Sequence, residues 1–249
     1  MIALRLVCIA LVAVLGSANA QPKKPKLPPG LDPGGPAIVL LTTGIDYTKP
    51  AVASRLARDG EGDLIGLDTI DGGNLPYAAN GEGTALALAL LAAPGIRIIP
   101  VRIDPDRPAS LIAAVKFAAR SPGRIVVMPQ LPVDAGQRAQ LLAGLAQFAD
   151  RMFIVPVQSA DAATPTGANV LAIGSSGDAS PAADLLVTAD PPTPAMAVVD
   201  LIAALASCGD VEIAKLQGSA PKLKALLKEL SLRAKADPTA GCRISVPAR

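Results

Sequence analysis

From residue 37 onward, short β-branched runs alternate with Ala- and Leu-rich stretches of helical length. The runs predict strands over Ala37 to Leu41, Leu64 to Leu67, Ile96 to Val101, Ile125 to Met128, Phe153 to Val157, Val170 to Ile173 and Leu185 to Val187. Most of these are continuously apolar rather than alternating, which is the pattern of strands covered on both faces. Between and after them, helices are predicted over Lys49 to Arg58, Gly83 to Ala92, Ala109 to Ala119, Ala135 to Ala149, Ala195 to Ser207 and Pro221 to Ala236. The last is the most amphipathic: Leu223, Leu226, Leu227 and Leu230 recur at helical spacing while Lys222, Lys224, Lys228 and Glu229 take the other side, so it should pack on the surface of the body. Strand and helix alternating in this way predict an α/β fold with a parallel sheet and crossover helices, in a single domain.

The two ends of the chain read differently. Met1 to Ala20 opens with Arg5, runs apolar from Leu6 to Leu15 and closes on small residues ending Ala18-Asn19-Ala20, the pattern of a secretory signal peptide cleaved after Ala20. Residues 21 to 36, QPKKPKLPPGLDPGGP, form a Pro-rich leader whose composition predicts an extended, solvated segment, with the folded domain from 37 to 249. The expected location is therefore secreted or periplasmic, with no membrane association after cleavage. Processing leaves Cys208 and Cys242 in a compartment that permits oxidation. A disulfide between them is the expectation, closing a loop of about 35 residues and worth roughly 3 to 4 kcal/mol; two separate buried thiols are the alternative.

Composition narrows the function classes. Hydrophobic residues make up 51% of the chain but aromatic ones only 2%, so the core must be aliphatic. With 23 Lys and Arg against 21 Asp and Glu, the net charge is +2 and no basic run tracks a phosphate backbone. Stacking platforms are few, with no Trp, 2 Tyr and 3 Phe, and nucleic acid is excluded as a partner on both grounds.

Ala37 to Pro50, AIVLLTTGIDYTKP, resembles the first catalytic segment of the subtilases, a strand followed by D-T-G-I-D-x-x-H-P. Gly66 to Ala87, GLDTIDGGNLPYAANGEGTALA, resembles the approach to that family's G-H-G-T-H-V-A block. Further along, Ala93 to Val101 is similar to the strand A-K-L-Y-A-V-K-V. Gly123 to Leu131, GRIVVMPQL, is similar to V-I-N-M-S-L-G, a strand and substrate edge. Val170 to Ser176 resembles I-A-V-G-A, and Thr193 to Ala204, TPAMAVVDLIAA, is similar to G-T-S-M-A-x-P-H-V-A-G-A, the helix that opens with the nucleophile. The resemblance spans roughly residues 36 to 236. It implies a subtilisin-like, doubly wound parallel sheet with helices on both faces and a cleft at the carboxyl ends of the strands.

The same resemblance places the catalytic positions. The aspartate position falls on Thr42, the general-base histidine on Glu82 and the second motif histidine on Ala85. The nucleophile falls on Ala195, or on Thr193 if the register slides by two. Histidine is absent from all 249 residues. An unactivated hydroxyl is a poor nucleophile without a base in reach, so no functional catalytic residue is expected at these degenerate positions. The related sedolisins use Glu where subtilases use His, which Glu82 resembles, but their aspartate one turn later corresponds to Leu86 here. The oxyanion asparagine should fall near Gln158 to Asp161, where no Asn stands.

Other polar groups have simpler readings. Asp68, Asp71 and Asn74 flank Gly72-Gly73, which marks a turn rather than a cation loop, and no metal or cofactor is expected. Gly174-Ser175-Ser176-Gly177-Asp178 reads as a plain loop, and Asp184, Asp190 and Asp200 as solvated charges. The expected function is an inactive pseudopeptidase that binds a peptide or protein partner in the cell envelope, with an extended peptide pairing along the edge that follows Met128. The alternative is a hydrolase with residual or altered activity that uses Thr193, Glu82 or Asp46.

Overall fold

The computed structural model describes residues 23–79, 81–157, 167–177 and 180–207, with parts of 221–230 and 244–245. An eight-stranded sheet runs through the molecule in the order β2-β3-β1-β4-β5-β6-β7-β8. The strands are β1 (Ala37–Thr42), β2 (Leu67–Asp68), β3 (Arg97–Arg102), β4 (Ile125–Val127), β5 (Met152–Pro156), β6 (Val170–Ser175), β7 (Leu185–Val187) and β8 (Ile244–Ser245). All neighbours from β2 to β7 are parallel, and β8 joins β7 antiparallel, Leu186 opposite Ser245. The chain is therefore α/β with a doubly wound sheet.

Both faces of the sheet are dry, as the unbroken apolar runs require. Side chains alternate in direction along a strand, and here both sets find helices. Ile38, Leu40, Ile98, Val127, Ile154 and Ile173 pack under α2 (Glu82–Leu90) and α5 (Pro194–Ser207), with the short α1 (Pro50–Ala53) beside them. Val39, Leu41, Ile99, Val101, Phe153 and Val155 pack under α3 (Pro108–Arg120) and α4 (Ala135–Leu145). Strand order reverses at β1: β3 lies on one side and β4, the next strand in the chain, on the other. The carboxyl end of β1, where Thr42 stands, is thus the topological switch point at which open α/β sheets form their crevice.

Several expectations need correction. The helix expected over Lys49 to Arg58 is confined to Pro50–Ala53, because the residues after it turn to lay Leu56 beside Ile98 and to bond Ala57 N–H to the Ile98 carbonyl. The strand expected over Leu64 to Leu67 is shifted to Leu67–Asp68. The last predicted helix is described in part: residues 221–222, 224–226 and 229–230 are helical, with Leu230 buried and Leu226 packed on the same core as α5. Asp184 is not solvated; its side chain is 8% exposed, pairs with Lys224 at 2.8 Å and accepts from the Ala172 N–H. Asp200, also expected in solvent, is 9% exposed, whereas Asp190 is exposed as expected.

The leader is the largest departure. Residues 23–36 are extended and without regular structure, yet they form a strap held against the body. Tyr47 Oη donates to the Pro25 carbonyl at 2.8 Å, and Arg58 Nη2 donates to the Pro28 carbonyl at 2.8 Å. Asp32 accepts from the Arg58 backbone N–H and pairs with Arg97, while Leu27 packs on the core under α1. Proline withholds an N–H but keeps its carbonyl, so a Pro-rich strap is a row of acceptors for the buried donors of Tyr47 and Arg58. The signal segment, Cys208 and Cys242 lie outside the described residues.

With so few aromatic side chains, Phe153 carries a large share of the packing under α4, fully buried with its ring centroid 6.4 Å from that of Phe148. Truncating it to alanine is expected to lower unfolding free energy by about 3–5 kcal/mol. Urea denaturation of Phe153→Ala against the parent checks this, with the difference read in the midpoint at unchanged slope.

Candidate functional site

The site is assembled where helix α2 meets the end of β1. Thr42 is the last residue of β1, 1% exposed, and its side chain shares the face of Ile38 and Leu40. Its Oγ1 accepts from the Gly44 N–H at 3.3 Å. Gly83, in the first turn of α2, sits directly against it. A Cβ built on Gly83 would lie 2.1 Å from the Gly44 carbonyl oxygen and 2.8 Å from Thr42 Oγ1. The helix is pinned there by a second bond, in which Asp46 N–H donates to Thr84 Oγ1 at 2.8 Å. Glu82, the first residue of α2, is exposed at the helix N-terminus, where a carboxylate is favoured by about 0.3–1 kcal/mol.

Glu82 has one described partner. Gln130 Nε2 donates to Glu82 Oε2 at 2.9 Å, which ties the segment after β4 to the opening of α2. Gln130 Oε1 is buried with no hydrogen-bond partner among the described residues, a condition that costs about 1–3 kcal/mol. Sequence reasoning quoted Gln130 within the expected substrate edge but gave it no role. Its signal was available only as a polar residue between Pro129 and Pro132 directly after a buried strand.

Ala195 lies in the first turn of α5, half-buried against the core that α2 also covers. Thr42 meets Gly83, the residue after Glu82, and α5, which carries Ala195, packs beside α2 on the same face. Ala85 is exposed, one turn into α2. Thr193 is exposed and acts as a helix cap: its Oγ1 accepts from the Met196 N–H at 3.1 Å. Asp46 Oδ1 is likewise engaged, by the Thr48 N–H at 3.0 Å and the Thr48 hydroxyl. Gln158 to Asp161 lie outside the described residues. In the loop after β6, Ser175 Oγ accepts from the Gly177 N–H at 3.3 Å, an ordinary side-chain turn.

The Asp68 turn borders the same end of the sheet. Its side chain is fully buried, and Oδ1 accepts from the N–H groups of Ile70 and Asp71. Two cations of the chain itself complete the shell. Lys24 Nζ lies 2.5 Å from Asp68 Oδ2 and 3.5 Å from Asp71 Oδ2, and Arg102 Nη1 lies 3.1 Å and 2.6 Å from the same two atoms. Asn74 turns away, donating to the Leu64 carbonyl at 3.5 Å. Burial pushes the Asp68 carboxyl up, but hydrogen bonds from Lys24, the Asp71 and Ile70 amides and Arg102 outweigh it and hold the group below its ordinary value. Nearby Tyr47 is pushed up to about 12, by burial first and then by Tyr77, Asp46 and Asp68. A separate apolar groove of ≈ 280 Å³ between α3 and α4, lined by Leu111, Ile112, Val115, Leu141 and Phe148, lies on the opposite face of the sheet.

The site thus stands on a doubly wound parallel sheet, with one helix opening against the end of its central strand and a second helix beside it. No family model and no curated protein matches the chain. Among solved structures, a cold adapted subtilisin-like serine proteinase superposes at a TM-score of 0.61 over 84% of this chain and 86% of that one, at 16% identity. The patellamide maturation protease PatG and a PatG macrocyclase domain each match at 0.48, over 87% of this chain and 90% of theirs, at 12% and 14% identity. The first likeness shows a subtilisin-like fold.

Gly83→Ala is expected to destabilise the protein by at least about 2 kcal/mol, because the new methyl meets a backbone oxygen that cannot step aside. Thermal unfolding monitored by circular dichroism checks it. Because the native pKa of Asp68 is depressed, its stabilisation is complete above about pH 4 and disappears as pH falls through the lower native value. Stability of Asp68→Asn should therefore vary less with pH than the parent below that point, as read from urea midpoints between neutrality and acid.

Proposed function

We propose that the chain is an exported pseudopeptidase, a subtilisin-fold protein without peptidase activity whose cleft holds an extended peptide or partner protein in the cell envelope. One observation carries this reading: the chain contains no histidine, so no imidazole can accept the proton of an attacking hydroxyl. The residues at the expected catalytic positions agree with it. Thr42 brings a neutral hydroxyl where a carboxylate would orient the base, Ala195 brings no nucleophile, and the Glu82 carboxylate is tied to Gln130. Losing one member of a catalytic triad costs about 10⁴- to 10⁶-fold in turnover, and binding is what survives.

Peptide binding needs backbone groups and no triad. After β4, Pro129 and Pro132 have no N–H, so Gln130 and Leu131 supply the amide donors of the expected edge, with the carbonyls of Pro129, Gln130 and Leu131 as acceptors, while the Pro132 carbonyl accepts from Arg138 Nη1 at 3.3 Å. The expected partner is therefore an extended peptide that adds to this short segment, next to Glu82.

Homogeneous recombinant protein incubated with a broad peptide library should yield no cleavage product, and Glu82→Gln should be indistinguishable from the parent. In the same library, peptides that bind should shift the backbone amide resonances of Gln130 and Leu131. Turnover that Glu82→Gln abolishes would instead establish a hydrolase with altered machinery, and a library without a single binder would remove the peptide-holding role.

A further inference from the structure

We propose that the strap is a latch on the cleft, with the docking of Lys24 to Leu27 fixing the shape of residues 43–47, so that undocking weakens peptide binding. This rests on the reading of the cleft as a peptide site. Two chains of contacts run from the strap to that segment. In the first, Lys24 Nζ pairs with Asp68 at 2.5 Å, Asp68 and Asp71 pair with Arg102, and Arg102 Nε donates to the Thr43 carbonyl at 3.2 Å. Arg102 also lies under Gly44, where its Cδ is 3.1 Å from the position of an added Cβ. In the second, Tyr47, fully buried, donates from Oη to the Pro25 carbonyl at 2.8 Å. Tyr47 follows Asp46, whose N–H is held by Thr84 in the first turn of α2. Both chains end on the residues that follow Thr42 and meet Gly83 and Thr84.

The two ends of the strap are held by separate sets of contacts. The lower end stays pinned by Asp32 to Arg58 and Arg97 and by the Pro28 carbonyl to Arg58 Nη2. The upper end depends on the Lys24 pairs, the Tyr47 bond and the burial of Leu27. Among the described residues, the charged or titratable groups facing Asp68 are Lys24 from the strap, Arg102 from β3, Asp71 from its own turn and Tyr47 from the segment after β1. Withdrawing Lys24 leaves a fully buried carboxylate with Arg102 as its one cation among the described residues, and Arg102 is then drawn away from the Thr43 carbonyl. A strap shortened past Lys24 by proteolysis, or displaced by a competing polycation, would open the latch by the same route.

Hydrogen exchange on the full chain tests the latch without reference to any peptide. Lys24→Met is expected to raise the exchange rates of the Gly44 and Asp46 amides by about tenfold or more, while β5 and β6 keep their protection. Tyr47→Phe, which removes only the bond to Pro25 and leaves the ring in place, should raise the same two amides several-fold. Asp32→Asn, which loosens the lower end, should leave them unchanged. Parent-like exchange at Gly44 and Asp46 in both Lys24→Met and Tyr47→Phe would overturn the latch. For peptides that bind the parent, Lys24→Met should weaken affinity by a similar factor; equal affinity would overturn the coupling to binding. If the parent binds no peptide, the cleft reading fails, and exchange still decides whether the strap shapes residues 43–47.

Discussion

One contact sets the geometry of the whole carboxyl end of the sheet: helix α2 begins against the end of β1 with no room for a side chain between them. A methyl on Gly83 would overlap the Gly44 carbonyl, and Gly44 itself holds φ +117, a conformation that strongly favours glycine. The two glycines let backbone meet backbone, and the first turn of α2 takes its position from β1 rather than from side chains of its own. Thr84 then fixes its rotation by accepting the Asp46 amide. Helix α5 packs beside α2 on the same core, with Ala195 partly buried against it.

Around this contact the chain settles its own charges. Asp68 is buried and surrounded by two amides, an ammonium and a guanidinium, all from this chain. A buried carboxylate with one partner missing is a liability of several kcal/mol, so the strap that brings Lys24 belongs to the fold. The sheet's two edges are handled alike. At each edge stands a two-residue strand that leaves little to pair: β2, whose Asp68 side chain is held by the strap, and β8, which lies against β7. Both termini thus do structural work that their composition does not announce.

The strands were legible because a strand dry on both faces must be apolar where it is covered, and Ala37–Leu41, Ile98–Val101 and Leu185–Val187 read that way. The strap was not legible: Pro, Lys and Gly describe a segment with nothing to bury, and its docking is decided by distant donors such as Tyr47 and Arg58 that need carbonyls. Asp184 was misjudged for the same reason, since Lys224, forty residues on, removes its need for water. Thr42, Glu82 and Ala195 were expected from the order of motif-like segments, which speaks only of position in the chain. The link from Gln130 to Glu82 spans 48 residues and follows no spacing rule, so only the folded chain displays it.

The residue at the end of β1 makes physical sense once histidine is absent. A carboxylate at position 42 would stand almost fully buried on an apolar face, with the helix packed against it and no imidazolium to balance its charge. Burying an unpaired carboxylate is strongly unfavourable, whereas a threonine there finds the Gly44 amide within 3.3 Å and fills the space with its methyl. Glu82 meets the opposite condition. It is exposed at a helix N-terminus, where a negative charge is welcome and an imidazole is not required. Each position therefore suits the residue it holds: a neutral side chain where a helix is packed against the end of β1, and a carboxylate where the helix N-terminus meets solvent. The shape of this end of the sheet is made by the glycines at 44 and 83, which let backbone meet backbone.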